Sequence, residues 1–198
     1  MLSVTHLLQT FGVAGLVAII FAETALLVGV ILPGDSLLFT AGLLASQHKL
    51  SLVAVVIGAA LAAILGDQVG YLLGRRIGPR LFARPDARIF KRAHLERADA
   101  FFSRHGARTI VLARFVPVVR TFVPTLAGAA DMHYRRFVTY NVFGGAMWAI
   151  GVPSAGYVLG KTVPSIDKYL LPVVALVVIV SLIPVILEAR RHRAVEPV

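Results

Sequence analysis

Four stretches of this chain, residues 11–32, 52–74, 137–160 and 170–187, run for 18–24 residues almost without a charge. A helix of about 20 apolar residues crosses the ~30 Å hydrocarbon core of a bilayer, so each stretch is long enough to span it. Of the 198 residues 58% are hydrophobic and 15% charged. Soluble domains carry roughly half and a quarter. The pattern excludes a disordered chain and argues against a soluble enzyme. It points to an all-α integral membrane protein.

The net charge of +10 is concentrated outside the apolar stretches. Residues 75–108 hold ten Lys/Arg and three acids. In that segment Leu95, Ala98, Phe101 and Phe102 recur at helical spacing between basic residues. This describes a basic amphipathic helix lying on anionic membrane lipids. The basic tail 188–198 adds to the same side. Positive charge flanking spans marks the cytoplasmic face, so no nucleic-acid partner is expected. There is no cysteine, and the six histidines lack metal-ligand spacing, so neither a metal nor a cofactor is expected. The first basic residue is Lys49. Residues 1–32 therefore do not read as a cleaved signal.

Two stretches are broken. After 11–32 comes Pro33-Gly34-Asp35, a turn signal, and then an apolar run of only eleven residues, 36–46. At about 1.5 Å per residue that run reaches roughly halfway across a bilayer. Residues 109–132 contain Arg114, Pro117, Arg120, Pro124 and Gly128, which suit a lipid-facing span badly. Both segments, 11–46 and 109–132, read as re-entrant hairpins, with Pro33, Gly34, Pro117, Pro124 and Gly128 as hinge candidates. With 75–108 and the tail in the cytoplasm, the chain becomes one membrane domain of two inverted hairpin-plus-span units. Hairpin 11–46 precedes span 52–74, and hairpin 109–132 precedes span 137–160. The basic connecting helix lies between the units, and a last transmembrane helix, 170–187, follows. Inverted repeats with broken helices at the midplane are a recurring transporter plan. A second reading stays open, in which 11–32 spans outright and the N-terminus lies inside.

Five ionisable residues break the apolar pattern: Glu23, Asp35, Asp67, Arg114 and Arg120. Each costs several kcal/mol in a membrane unless paired or hydrated. Helical rise places Glu23 and Arg120 near the midplane from opposite faces. The acids of one hairpin and the arginines of the other can therefore meet. One reading is static pairing that holds the hairpins together. The other is functional. Two guanidinium forks match a phosphate, and carboxylates in such a place can exchange protons. Gly66, Gly70, Gly74 and Gly78 form a small-residue ladder suited to close helix packing. Asp67 and Tyr71 share a helix face, as polar contacts or as part of a pathway. Asn141, Gly144 and Trp148 share another, better suited to packing, with Asn141 also a pathway or hinge candidate.

The ordered set of these residues resembles the DedA family of bacterial membrane proteins, related to VTT-domain lipid scramblases. The set is Glu23, Pro33-Gly34-Asp35, Gly42, Gly66-Asp67, Tyr71, Gly74-Arg75 and Gly78, followed by Arg114-Phe115-Val116-Pro117, Arg120, Pro124 and Ala127-Gly128. Met132, Phe137, Asn141, Gly144 and Trp148 complete it. The resemblance implies a multi-pass protein of the bacterial inner membrane that flips a lipid phosphate, above all undecaprenyl phosphate for cell-envelope synthesis. It implies proton coupling through Glu23 and Asp35 and phosphate binding through Arg114 and Arg120. A phosphatidylethanolamine-type flippase is the nearest alternative. A polyprenyl-diphosphate phosphatase lacks a Ser or His nucleophile within 109–132. A drug/proton antiporter leaves two deep arginines unexplained. Transport without catalysis is thus the expectation, with self-association left open.

Overall fold

The apolar stretches fold as helices, and the polar breaks set where each one stops. The computed structural model describes residues 4–25, 34–82 and 106–162. Outside the described residues lie Pro33, most of the basic segment 75–108, the run 170–187 and the tail. The described residues form six helices and no strand. They are α1 (Val4–Ala25), α2 (Gly34–Ser46), α3 (Leu52–Phe82), α4 (Arg108–Ala113), α5 (Pro117–Ala129) and α6 (Tyr134–Thr162).

Two of them are long and apolar enough to cross a membrane, over Leu52–Gly78 and Tyr134–Thr162. Both extend past the expected 52–74 and 137–160, the helix continuing through Gly74 and Gly160. Along α3 a row of Val53, Ile57, Leu61, Leu65 and Val69 is exposed at four-residue spacing. A row of that length suits lipid and not water.

The other helices are short. Gly12 interrupts α1 with φ 57° and ψ −146°, a conformation glycine adopts without strain. Its apolar part is therefore Gly12–Ala25. α2 and α5 have 13 residues each, about 20 Å of helix. Segment 109–132 breaks at residues 114–116, where Val116 is extended, and Pro117 restarts the helix. The first helical position suits proline because its missing N–H has no partner there anyway. Pro124 lies within α5 without ending it.

α2 and α5 end alike. His48 (φ 59°) and Asp131 (φ 52°) adopt the left-handed conformation just past their helices. The N–H groups of His48 and Lys49 reach the carbonyls of Ala45 and Leu44, at 3.1 and 3.0 Å. Those of Asp131 and Met132 reach Gly128 and Ala127, at 3.2 and 3.0 Å. Each is a Schellman closure that satisfies carbonyls the helix leaves open.

Packing follows the same pairing. α2 packs most extensively on α6, and α3 on α5 and α1. Neighbouring residues give the directions. Gly58 faces Val13 and Val17 while Gly66 faces Phe21 and Thr24, so α1 and α3 run parallel. Gly70 faces Pro124 and Gly78 faces Ala129, so α3 and α5 do too. Gly156 faces Phe39 and Gly160 faces Ser46, which makes α2 and α6 parallel. Tyr71 meets Phe137 whereas Ile64 meets Gly145, so α3 and α6 run opposite ways. The main contacts map onto one another when α1, α2 and α3 are exchanged for α4, α5 and α6.

The crossings themselves repeat. A β-carbon on Gly42 would overlap the Pro153 carbonyl, and one on Gly156 the Phe39 carbonyl. A β-carbon on Gly74 would overlap the Thr125 carbonyl, and one on Gly128 the Tyr71 carbonyl. In all four helices the glycine stands three residues after the carbonyl its partner touches. Small residues there let the backbones meet, the usual basis of helix association in lipid. An apolar cluster flanks each hairpin. Leu16, Ile20, Leu38, Ala59 and Trp148 belong to one, and Ile110, Ala113, Val123, Ala127 and Phe137 to the other.

Candidate functional site

Glu23 sits near the end of α1, Asp35 in the first turn of α2 and Arg120 in the first turn of α5. Arg120 joins the two acids with separate ends of its fork. Its Nη2 donates to Glu23 Oε1 at 2.6 Å and its Nη1 to Asp35 Oδ1 at 2.5 Å. A planar guanidinium held by two carboxylates in this way is fixed in orientation as well as charge. The Glu23 carboxylate packs directly on Gly34, where a β-carbon would overlap it. Its second oxygen, Oε2, is buried against Gly34.

Trp148 of α6 completes this group. Its indole N–H donates to Asp35 Oδ1 at 2.8 Å, the oxygen that Arg120 also uses. Its ring lies 5.1 Å from the Arg120 guanidinium carbon, within cation–π range.

Arg114 makes a second group. Nη1 donates to Asp67 of α3 and, at 2.9 Å, to the Asn141 side-chain oxygen of α6. The Asn141 amide donates onward to the Ile64 carbonyl at 3.2 Å. Arg114 runs past Gly144 and Gly145 of α6, whose tighter neighbours are Val111 and Ile64.

Glu23, Arg120 and Trp148 of the first group and Asp67 and Arg114 of the second line one small cavity, together with Ile20, Thr24, Ala63 and Thr121. It has room for water rather than for a headgroup. Their exposures differ. The Asp67 and Arg114 side chains are 5% and 8% exposed, whereas Asp35 is 27% exposed. The Arg120 group thus opens outward at its Asp35 end, while Glu23 is 2% exposed. Three carboxylates also face two guanidiniums, so one negative charge is left over unless a proton neutralises it.

The sequence expectation that acids of one hairpin meet arginines of the other is met at Arg120. Arg114 pairs elsewhere, with Asp67 and Asn141. Tyr71 stays apart from both groups. Its hydroxyl donates to the Met132 carbonyl at 2.5 Å, and its ring stacks on Phe137 at 4.4 Å. Pro124 and Gly128 face α3 as packing residues, and Pro117 begins a helix. Trp148 is the residue that sequence reasoning set aside as packing. Its signal was present in the seven-residue spacing from Asn141, which turns both side chains to one face.

The Arg114–Asp67 pair makes a stability prediction. Breaking a buried pair from one side costs about 3–5 kcal/mol, because the other charge is stranded. Asp67→Asn and Arg114→Gln are each expected to lose stability on that scale in detergent unfolding. The double substitution is expected to recover much of the loss. Losses that simply add would show that the pair is not coupled.

Comparison with known proteins shows the family. The VTT domain family model matches residues 32–158. The chain is 43% identical over 193 residues to Protein DedA of Escherichia coli (strain K12), covering 95% of this chain and 88% of that protein. It is 45% identical over 179 residues to an uncharacterized membrane protein of Mycobacterium tuberculosis (strain ATCC 25618 / H37Rv), covering 89% and 78%. It is 33% identical over 171 residues to Inner membrane protein YqjA of Escherichia coli (strain K12), covering 82% and 77%. No solved structure matches the chain.

Proposed function

The chain belongs to the VTT-domain family of membrane proteins, and from that premise we propose that it flips a lipid phosphate across the bacterial cytoplasmic membrane, driven by protons. Undecaprenyl phosphate is the substrate this reading favours, with a phosphatidylethanolamine-type phospholipid as the alternative. α3 and α6 cross the bilayer. Residues 11–46 and 109–132 enter from opposite faces and return as re-entrant hairpins. One relative is named an inner membrane protein, and this chain is placed in the same membrane.

A single observation carries the proposal: the Arg120 fork is held by two carboxylates of the opposite hairpin, at the edge of a cavity that both hairpins share. A phosphate offers the same acceptors to the same fork. Phosphate and carboxylates therefore compete for one guanidinium. Protonation of Glu23 and Asp35 removes their charge and frees Arg120 for the headgroup, while the lipid tail stays in the bilayer. Arg120 makes the first contact because its group is the more open. Arg114 joins once Asp67 lets it go. Deprotonation on the other side restores the carboxylates and expels the phosphate. No bond in the substrate is broken, so the activity is transport and not catalysis.

The test is flipping of polyprenyl phosphate in proteoliposomes under an imposed pH gradient. If one proton moves per lipid, each pH unit supplies ~1.4 kcal/mol and shifts the steady-state distribution about tenfold. Glu23→Gln is expected to bring that response close to none while leaving lipid binding measurable. A Glu23→Gln protein whose distribution still follows the gradient would remove Glu23 from the coupling.

A further inference from the structure

Trp148 touches both members of the Arg120–Asp35 pair and is 4% exposed. Packing alone does not require an indole N–H aimed at a carboxylate. A buried indole needs an acceptor, but α6 could have met that need with any carbonyl nearby. Here the acceptor is Asp35 Oδ1, already bonded to Arg120. The ring face meets the guanidinium at the same time. Asp35 and Trp148 also stand on α2 and α6, a tightly packed helix pair, whereas Arg120 comes from α5.

We propose that Trp148 is a positioning residue for headgroup exchange: its ring presents the Arg120 fork to phosphate, and its N–H keeps the Asp35 carboxyl in place while Arg120 leaves and returns. The proposal rests on the transport reading given above. Without the N–H, the Asp35 carboxyl loses the contact that fixes its direction while Arg120 is away, so Arg120 exchanges between Asp35 and phosphate less readily. Without the ring, the fork loses the surface that orients it. The two parts of one side chain thus serve two steps, binding and release, and substitutions can separate them.

Trp148→Phe keeps a ring and removes the N–H. Hydrogen bonds to charged groups contribute ~1.5–3 kcal/mol, so the maximal flipping rate is expected to fall about tenfold or more. KM is expected to stay near that of the unaltered protein. Trp148→Leu removes the ring as well, and a cation–π contact worth ~0.5–2 kcal/mol is expected to raise KM several-fold in addition. A residue that only fills space would not divide the two constants in this way. Identical KM and maximal rate for the Phe and Leu proteins would overturn the proposal.

A second measurement needs no variant. Trp148 is the one tryptophan in the chain, so its emission reports this site alone. Dodecyl phosphate titrated into the purified full-length protein is expected to release or absorb heat and to change the indole emission over the same concentration range. Heat of binding with unchanged emission would overturn the role of Trp148 and leave lipid-phosphate transport standing. No heat and no emission change would overturn both.

Discussion

Arg120→Lys is expected to lower lipid-phosphate flipping about 100-fold or more while the protein still folds. Lysine keeps the positive charge and one ion pair, so the buried acids are not both stranded. It loses the fork. At present one guanidinium plane meets Glu23 at 2.6 Å and Asp35 at 2.5 Å with different nitrogens. An ammonium is a point charge that cannot reproduce two fixed directions. Losing one charge-assisted hydrogen bond is worth ~1.5–3 kcal/mol, and each 1.36 kcal/mol is about tenfold in rate. The Trp148 ring, set 5.1 Å from the guanidinium carbon, adds to the loss because it suits a planar cation. Flipping measured in proteoliposomes with matched protein content is the check. Retention of more than half the rate would mean that charge alone suffices at position 120. Arg120→Ala is a harsher case. It leaves Glu23 and Asp35 facing each other without a cation, so loss of fold and loss of transport would coincide.

Gly42→Ala and Gly128→Ala are expected to destabilise the protein about equally, near the upper end of the ~1–3 kcal/mol typical of overpacking. A methyl group at either position overlaps a backbone carbonyl, of Pro153 in one case and of Tyr71 in the other. Backbone cannot rotate aside as a side chain can. The helices must therefore separate along the crossing and forfeit the contacts that hold them. Gly74→Ala and Gly156→Ala attack the same crossings from the opposite helix and are expected to behave alike. Gly151→Ala serves as the control, since its β-carbon would meet nothing within 4 Å. In α6 that change is expected to be neutral or to stabilise by up to about 1 kcal/mol, from helix propensity alone. Thermal unfolding in one detergent compares all five. A large loss at Gly151, or a Gly42 loss far from that at Gly128, would contradict the repeated crossing.

Helices were legible because periodicity and length survive in the sequence, and so were the breaks. Pro33-Gly34-Asp35 announced the start of α2, and the crowd of prolines and arginines announced an interruption within 109–132. The meeting of Glu23, Asp35 and Arg120 followed from depth alone, since ionisable residues in a membrane must find one another. The partner of Arg114 was less readable. Asp67 and Asn141 come from two different spans, and which arginine they meet depends on how those spans rotate against each other. Trp148 was hidden for a related reason. Tryptophan fills cores and meets polar groups with equal ease, and only coordinates reveal where its N–H points. The glycine ladder on α3 showed close packing but could not name the helix that fills it. The ladder faces α1 at Gly66 and α5 from Gly70 onward.

The crossing pattern has a mechanical consequence. Each span is clasped by the short helix of the other half, so the most closely packed bodies are not the halves defined by chain order. The bodies are α2 with α6, and α3 with α5 and α1. A seam runs between them, and both arginines stand at it. Arg120 shares a body with Glu23 and reaches across to Asp35. Arg114 keeps Asn141 on α6 and binds Asp67 on α3, so the Asn141–Arg114–Asp67 chain bridges the two bodies. Sliding the bodies apart while keeping each clasp intact must therefore open two latches, each with an arginine between two partners. The molecule is built like a dimer that exchanged its arms and was then fused into a single chain.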